Sequence, residues 1–541
     1  MVLLKLAASV AGTLGAYALY GIGKAIYYEF TSALRQIPGP NSSHWFYGNM
    51  KELLTNFSED SSLEEEWVKQ YGTTLRLNRF FGSSQLYTQD IKALQHVLTN
   101  DYLYQKSEQT RFELGRIVGP GILVVEGDVH KRQRKIMNPA FGAPQVRALT
   151  GIFVEKSLQL RDIWASQIAK GGGVARVEIL SWFSKATLDI IGLAGFNYDI
   201  NALGAESVDK PNELAHAFET IVTAEGGMTF MRFLRTRVRL LRKLPTKMDK
   251  TVQHAQDTMM RIGRGLLRDS KKEIAENGTV DTGRARDLLS LLVRANTAKD
   301  IPASQQLSDE DVLAQVPTFL VAGHETTSTA ATWALFALTQ NVAAQTRLRE
   351  ELLTVSTDTP TMDELNALPY LDCVVRETLR LYAPVTATSR VAMRDDVLPL
   401  ATPYTDRNGT VHETLQIPKG HVIVIPILSL NRDVKIWGPD AMEFKPERWD
   451  SDTPIPSVLP GVWGHMLSFL GGPRACIGYR FSLVELKALL FTLVRAFEFE
   501  LAVPLVDVGK KSTAIVQRPM VISEPEVRNQ LPLLVRPFVG S

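Results

Sequence analysis

The sequence predicts a mainly helical protein with a smaller β portion, preceded by a single N-terminal transmembrane helix. An apolar stretch without charged residues covers positions 6–23. Helical patterns fill most of residues 150–300 and two later apolar stretches, whereas strand patterns are confined to residues 73–87 and 391–427. Because helical segments outnumber strands, we expect a helical body that carries a minor sheet.

Composition places the chain among ordinary globular proteins. Of its 541 residues 45% are hydrophobic and 22% are charged, and the formal net charge is +2. This balance lacks the basic excess of nucleic-acid-binding proteins. The length is enough for one large catalytic unit or several small domains. Two cysteines exclude a disulfide framework and suit a reducing, cytosol-facing environment.

The N-terminal apolar stretch is long enough to cross a membrane. It continues past one lysine and reaches the ~20 residues that a bilayer requires. A cleaved signal peptide is the alternative, but its apolar region is normally shorter and no small-x-small cleavage site is evident here. We therefore expect a membrane anchor in residues 1–30, a proline-containing hinge in 31–45 and a single body in 46–541.

A run of basic residues from His130 to Lys135 lies on a predicted helix. His130 and Arg134 are four residues apart and share one face, where two such side chains can bind an anionic group. The alternative is a solvated basic face, which is the commoner role of such a run. Lys131, Arg132 and Lys135 then point outward and are candidates for contacting an acidic protein partner.

A long apolar helix is predicted from Ser308 to about Asn341. Ser308 and Asp311 resemble a capping box that opens it. Pro317 lies inside this helix and should kink the turn that precedes it.

Polar residues interrupt the interior of this helix between His324 and Thr327. Burying them costs free energy unless each finds a hydrogen-bond partner. Gly323 removes bulk from one face, and a threonine hydroxyl can bond the carbonyl four residues earlier. These features favour a small groove that holds dioxygen and a water beside an acid and an alcohol. The alternative is a helix break with internal hydrogen bonds only.

An acid and a base three residues apart, Glu377 and Arg380, share one face of a further predicted helix. A second arginine, Arg448, follows in segment 444–449. The Glu-x-x-Arg pattern alone is weak, because many exposed helices contain it. Between these segments, Asn408-Gly409 predicts a hairpin turn.

The segment 469–478 surrounds one cysteine with four glycine or proline residues and precedes an apolar helical stretch. Glycines let the backbone approach a bulky planar partner. Cys476 precedes the helix, where free N–H groups and the helix dipole favour a thiolate, and Arg474 adds a guanidinium. Such a thiolate is a strongly donating axial ligand for haem iron. The alternatives are an ordinary small hydrophobe and a zinc site, and zinc is disfavoured because Cys373 is the only other cysteine.

Three motifs follow one another along the chain. Ala-Gly-x-Glu-Thr-Thr occupies 322–327, Glu-x-x-Arg occupies 377–380 and Phe-x-x-Gly-x-Arg-x-Cys-x-Gly occupies 469–478. The chain thereby resembles the cytochrome P450 superfamily, and in particular its fungal-type, membrane-bound (microsomal) monooxygenases, over everything after the anchor. This resemblance implies a mainly helical P450 fold with a smaller β portion, in which haem b lies between the Glu-Thr helix and the cysteine-bearing helix.

The resemblance also implies roles for individual residues. Cys476 is the implied metal ligand, while Thr326 and Glu325 are implied in proton delivery during oxygen activation. The residues implied in cofactor binding are Cys476, Arg474, Arg134, His130, Arg390, Phe469, Gly472 and Gly478. Those implied in a structural ion network are Glu377, Arg380 and Arg448. Those implied in the substrate pocket are Ile122, Leu123, Phe319, Ala322, Val385 and Thr386. At the position of His130 the family usually has tryptophan.

The activity implied is insertion of one oxygen atom from O2 into a hydrophobic small molecule, such as a terpenoid, steroid, fatty acid, polyketide or aromatic xenobiotic. Electrons come from NADPH through a separate flavoprotein reductase, since no Gly-x-Gly-x-x-Gly segment is present. The implied setting is the endoplasmic reticulum membrane, with a single span, a catalytic domain facing the cytosol, and a role in fungal secondary metabolism or detoxification. The alternatives are an electron-independent haem-thiolate isomerase or dehydratase and a non-enzymatic haem sensor.

Overall fold

The computed structural model describes most of the chain outside its N-terminus. The described ranges are 31–55, 63–204, 246–277, 287–297, 306–450 and 458–539 without 514 and 528, together with isolated positions in 5–27 and 212–242. The predicted membrane anchor in residues 1–30 therefore lies mostly outside the described residues.

Helices dominate the described residues, as the sequence predicts. The α-helices are α1 (Met50–Thr55), α2 (Leu63–Tyr71), α3 (Ile91–Thr99), α4 (Glu108–Val118), α5 (Gly127–Met137), α6 (Ala143–Lys170), α7 (Ile179–Phe196), α8 (Lys247–Asn277), α9 (Leu288–Thr297), α10 (Asp309–Leu313), α11 (Gln315–Gln340), α12 (Val342–Leu353), α13 (Met362–Asn366), α14 (Pro369–Leu381), α15 (Ile427–Asn431), α16 (Val434–Trp437) and α17 (Tyr479–Ala496). The strands are β1 (Thr74–Asn78), β2 (Ser84–Thr88), β3 (Tyr104–Gln105), β4 (Ala175–Glu178), β5 (Thr388–Ala392), β6 (Asp396–Thr405), β7 (Val411–Ile417), β8 (Val422–Ile425), β9 (Phe497–Leu501), β10 (Val508–Ser512), β11 (Gln517–Val521) and β12 (Pro532–Pro537).

The chain divides into two compact units, and the first combines the part up to Gln105 with Ala387–Pro426. Its main sheet has the order β1-β2-β8-β5-β3, in which only the β2–β8 pair is parallel. Strands β6 and β7 form a separate hairpin. The predicted turn lies between them, where the Gly409 N–H bonds the Asp406 carbonyl and Gly409 adopts φ +85°. The strands predicted in 73–87 and 391–427 are confirmed.

The proline-containing segment packs against β1 of this unit. The Arg76 N–H donates to the Pro38 carbonyl at 2.9 Å, and the Asn78 side-chain amide donates to the Pro40 carbonyl at 3.2 Å. Gly39 and Pro40 are buried. These bonds hold the segment firmly on the sheet.

The second unit comprises Lys106–Thr386 and Ile427–Ser541 and holds the longer helices. Helix α11 runs through its core and packs against α7, α14 and α17, while α17 also packs against α6. Between Gln315 and Leu338 nearly every position of α11 is buried, in keeping with its apolar sequence. Two small sheets complete the unit, β4-β12-β9 and the hairpin β10-β11.

Among the described helices, only α7 is long and apolar enough to cross a membrane. However, 78% of its apolar window is buried inside the protein. Its composition is therefore accounted for by packing in the core.

The helix predicted to begin at Ser308 is divided into α10 and α11 at Ala314. The capping box is confirmed, because the Ser308 hydroxyl accepts from the Asp311 N–H at 3.1 Å and the Asp311 carboxylate accepts from the Ser308 N–H at 3.3 Å. Pro317 is the third residue of α11. It falls in the first turn, where a helix does not use the missing N–H, and the break at Ala314 accommodates it.

Candidate active site

A tight loop positions Cys476 directly before α17. The Cys476 N–H donates to the Phe469 carbonyl at 2.9 Å and thereby closes the loop. A Cβ on Gly471 would lie 1.8 Å from the Pro460 carbonyl oxygen, so only glycine fits there. Gly472 turns the chain with φ +68°. The glycines of the motif thus serve the fold of the loop as well as the approach of a partner.

The Cys476 side chain is exposed although protein surrounds it on all sides. The thiol is therefore accessible to a ligand although protein atoms crowd around it. Burial raises the pKa of the Cys476 thiol, whereas the Gly478 N–H and the Arg134 cation act in the opposite direction. A sulfur with these two partners is suited to bind a metal as thiolate.

Helix α5 brings two predicted cofactor-binding residues toward this loop. The Arg134 guanidinium donates to the Ala475 carbonyl at 2.5 Å, next to Cys476. Burial lowers the pKa of Arg134, the Cys476 sulfur opposes this effect, and the Arg474 cation adds to it. His130 is one turn earlier on the same helix and is buried. Contact of either residue with a haem propionate stays a prediction.

Glu126, which sequence reasoning missed, forms a buried ion pair with Arg474. The Arg474 guanidinium bonds the Glu126 carboxylate and also donates to the Val125 carbonyl at 2.9 Å. Lys106 approaches the same carboxylate at 3.5 Å. Both side chains of the Arg474–Glu126 pair are only 5–6% exposed. The one sequence signal for this ion pair is an acidic residue immediately before the basic helix α5.

We expect Glu126→Gln to lower the free energy of unfolding by about 2 kcal/mol, because it weakens a charge-assisted bond to a buried guanidinium. Urea denaturation of the purified protein measures this loss. Glu276→Gln is the control, since Glu276 forms an exposed pair with Lys272 at 3.8 Å, and there we expect a change below about 0.5 kcal/mol. Equal losses in both variants would contradict the importance of the buried pair.

In the middle of its length, one face of helix α11 is partly exposed. Between Gln315 and Leu338, only Ala322, Gly323 and Thr326 are partly exposed. These positions share one face, and small side chains there leave room beside the helix. The Thr326 hydroxyl donates to the Ala322 carbonyl at 2.8 Å, so the predicted bond four residues back is confirmed. Its oxygen thereby remains available as an acceptor.

Gly323 has a packing role that the sequence did not indicate. A Cβ at this position would lie 3.0 Å from the Ile191 Cδ1 of α7. Glycine therefore permits the close approach of α7 and α11 in addition to reducing bulk beside Thr326.

Two neighbouring polar residues of α11, Glu325 and His324, are buried and have polar partners. Glu325 is 4% exposed and forms an ion pair with Arg518, with 2.9 Å between Oε1 and the guanidinium. The His324 Nε2 lies 2.7 Å from the Ser184 hydroxyl. Burial, and secondly the Arg518 cation, lowers the pKa of His324 to about 3, so this imidazole is neutral at physiological pH. On α17, burial raises the pKa of Glu485 well above its usual range.

The structure brings the three residues of the predicted ion network together. Glu377 accepts two bonds of 2.8 Å from Arg380, and Arg448 lies 3.3 Å from the same carboxylate. The Trp449 indole N–H and the Lys445 backbone N–H also donate to Glu377, at 2.9 and 3.0 Å. Arg380 uses its remaining donors on backbone carbonyls, which include those of residues 431 and 441. Both side chains of the Glu377–Arg380 pair are fully buried, so the network is structural.

Arg390 belongs to the first unit. It is 4% exposed and donates to the Thr388 hydroxyl at 3.1 Å and to the Ser389 carbonyl at 2.8 Å. Its contact with a propionate stays a prediction.

The predicted pocket residues divide by exposure. Ile122 and Phe319 are buried at 8% and 6%, and the Phe319 ring packs edge-on against Phe141 at 5.5 Å. The partly exposed members, which are accessible to a ligand, are Leu123, Ala322, Val385 and Thr386. Their contact with a substrate stays a prediction.

The residues of the second unit fit a haem. A single protein sulfur is enough to bind haem iron, because the porphyrin supplies the other iron ligands. Cys476 provides this sulfur. The cations beside this sulfur suit the anionic propionates. Helices α11 and α17 pack together, and the small-residue face of α11 can accommodate a planar group. The fold and site thus define a haem-thiolate protein of mainly helical architecture.

Comparison with known proteins identifies its family. The family described as Cytochrome P450 matches residues 38–522, and the chain belongs to that family. It is 51% identical over 535 residues to Cytochrome P450 monooxygenase 128 of Postia placenta, covering 97% of each chain. It is 52% identical over 513 residues to monooxygenase 205 of the same fungus, covering 94% of each. Cytochrome P450 monooxygenase claP of Ampulloclitocybe clavipes is 34% identical over 530 residues, with 95% coverage of each chain.

The resemblance to cytochromes P450 that the motifs indicate is therefore confirmed. The relatives of this chain are fungal P450 monooxygenases. Members of this family bind haem b iron through a cysteine thiolate. Membership of this family shows that the protein is an oxidoreductase with haem-thiolate monooxygenase activity. Such enzymes act on a small molecule with O2 and a redox partner.

Proposed function

We propose that this chain is a membrane-bound monooxygenase that inserts one oxygen atom from O2 into a hydrophobic small molecule, with Cys476 as the axial ligand of haem b. The observation that carries this proposal is the Cys476 sulfur, which is exposed within the protein and approached by the Gly478 N–H and Arg134. Hydrogen bonds and positive charge at the sulfur stabilise a thiolate.

The other residues of the site bind and orient. Arg134 and Arg474 supply positive charge close to the Cys476 sulfur, and we propose that they bind the haem propionates together with His130. The Phe469 carbonyl and the tight turn at Gly472 fix the loop that presents the sulfur. Bound haem iron supplies the activation of dioxygen.

Proton delivery is assigned to the α11 pair. Thr326 presents its oxygen on the exposed face, because its proton is engaged by the Ala322 carbonyl. Glu325 is the adjacent acid, and Arg518 connects it to the partly exposed hairpin β10-β11. We propose that protons pass from solvent through Glu325 to the groove at Thr326.

Thr326→Ala is expected to lower the product formed per NADPH consumed by roughly tenfold or more, since it removes the hydroxyl from the groove. Electrons then appear as hydrogen peroxide, which the same assay quantifies. Thr326→Ser keeps the hydroxyl and should retain most of the coupling. Unchanged coupling in the alanine variant would show that this hydroxyl has no part in proton delivery.

Electrons are proposed to come from NADPH through a separate flavoprotein reductase. Lys131 and Lys135 are exposed on α5, and the Arg132 side chain is 38% exposed at 3.9 Å from Asp311. This face suits an acidic redox partner. We propose that residues 1–30 anchor the protein in the endoplasmic reticulum membrane, with the catalytic body in the cytosol.

The substrate is proposed to be apolar, in the range of terpenoids, steroids, fatty acids, polyketides and aromatic xenobiotics. The partly exposed pocket residues are small or aliphatic, which favours this chemistry. We also propose a role in fungal secondary metabolism or detoxification; the similarity to fungal P450 monooxygenases is compatible with either role.

The decisive experiment measures NADPH-dependent product formation with the reductase present and absent. A monooxygenase requires both reductase and O2. Product without reductase would indicate the isomerase or dehydratase, and haem binding without any product would indicate the sensor. A spectral titration of the holoprotein against a panel of apolar compounds selects the substrates for this assay.

A further inference from the structure

The segment around α5 contacts the cysteine loop at two places. At the start of α5, Arg474 of the loop bonds the Glu126 carboxylate and also donates to the carbonyl of the residue before Glu126, at 2.9 Å. Further along α5, Arg134 donates to the Ala475 carbonyl at 2.5 Å. The two loop residues that immediately precede Cys476 are therefore both held by this one segment.

Glu126 is the acid of the first contact, and it lies between two cations. Its carboxylate accepts from the Lys106 backbone N–H at 3.2 Å, and the Lys106 Nζ lies 3.5 Å from it. The side chains of Lys106, Glu126 and Arg474 are only 10%, 6% and 5% exposed. Because little water reaches these groups, their charges are weakly screened and act on the surroundings more strongly than surface charges do.

The pair of Glu126 and Arg474 belongs to the same charge cluster as the sulfur. Burial lowers the pKa of Arg134, and the Cys476 sulfur and the Arg474 cation act on the same pKa in opposite directions. Two cations are thus close to the sulfur, and Glu126 offsets one of them. A positive charge beside a bound iron favours its reduced state, because reduction adds one negative charge, and a nearby anion has the opposite effect.

We propose that Glu126 is a positioning residue of the haem-thiolate site, which holds the cysteine loop through Arg474 and whose negative charge keeps the reduction potential of the bound iron low. Glu126 itself neither binds the iron nor exchanges a proton or an electron. The inference rests on the proposed role of Cys476 as the axial ligand.

An ion pair that only stabilises the fold is the competing explanation. Glu126→Gln removes the charge but keeps the size and an oxygen that can accept from Arg474, whereas Glu126→Asp keeps the charge. Arg474→Gln removes the opposite charge. Asp128→Asn is the matched control, because Asp128 is exposed on the first turn of α5 and the substitution removes the same unit of charge.

The first measurement is a redox titration of each full-length holoprotein without reductase or substrate. We expect Glu126→Gln to raise the equilibrium constant for iron reduction by about threefold to tenfold, where tenfold corresponds to about 59 mV. Arg474→Gln should shift the potential in the opposite direction. Glu126→Asp and Asp128→Asn should stay within about twofold of wild type, the latter because solvent screens its charge.

The second measurement is thermal unfolding of the same holoproteins. Glu126→Gln combined with Arg474→Gln should lower Tm by less than the sum of the two single changes, as is typical of contacting residues. If this coupling is found but the potential of Glu126→Gln equals that of the wild type, the pair only stabilises the fold and the inference is wrong. Additive losses of Tm would overturn the pair itself.

The reduced carbon monoxide spectrum, recorded for every variant, shows whether the thiolate is still bound. If Glu126→Gln loses the red-shifted band, the two remaining variants decide: a wild-type potential in Glu126→Asp with a lowered one in Arg474→Gln supports the inference, and any other result overturns it. If instead the wild type lacks the band, the proposed axial ligand fails, whereas the unfolding result still reports on the ion pair.

Discussion

Replacing Cys476 with alanine is expected to abolish the red-shifted absorption that a thiolate-bound haem shows after reduction and carbon monoxide binding. The structure supports this result because the second described cysteine, Cys373, cannot substitute. It lies on α14 and is buried, and burial raises its pKa to about 11. Product formation should fall to the background of the haem-free chain, since loss of the axial sulfur removes the electron donation that the chemistry needs.

The matched control for this experiment is Cys373→Ala. Removing this small buried side chain costs at most about 1–2 kcal/mol, and both the absorption and the haem content should survive. Cys476→Ser removes the sulfur but keeps a side chain of similar size, and it should also abolish the red-shifted band. This variant therefore separates loss of sulfur from loss of volume. A red-shifted band in Cys476→Ala, or its absence from the wild type, would refute the assignment of the ligand.

Replacing Arg380 with methionine is expected to lower the free energy of unfolding by about 3–5 kcal/mol. The change leaves the Glu377 carboxylate buried with a weaker set of donors. It also removes the donors to the carbonyls of Asn431 and Ala441, at 2.8 and 2.6 Å. Unsatisfied buried acceptors add to the loss.

Urea denaturation measures this loss, and the haem content of the purified variant shows whether the network supports cofactor retention. Arg147→Met is the control, because Arg147 forms an exposed ion pair with Asp363, with side chains 52% and 71% exposed. We expect a change of at most about 1 kcal/mol there. Similar losses in both variants would mean that burial of the Glu377 network contributes nothing.

Much of the fold and the centre of the site could be predicted because their signals are local in sequence. Helical periodicity identified the region of α11, and the Asn408-Gly409 turn identified the β6–β7 hairpin. The Thr326 bond to Ala322 follows from helix geometry, since residues four apart are neighbours on any helix. The Glu377–Arg380 contact follows in the same way.

Contacts between distant segments could not be predicted, because the pairing of two segments depends on how the whole chain packs. Glu126 meets Arg474 only after α5 is placed against the cysteine loop. Glu325 meets Arg518 only because β11 folds back onto α11. Neither pair has a fixed spacing for a sequence pattern to detect.

The family, the cysteine that can bind iron, and the positions of the acid and the alcohol could be predicted from the sequence, because each depends on residue types within about ten neighbouring positions. Only the folded structure shows which cations pair with Glu325 and Glu126, and that Gly323 lets two helices approach closely in addition to widening a groove. Ion pairing and close packing require groups to meet within a few ångströms. Only the folded chain brings residues so distant in sequence to that separation.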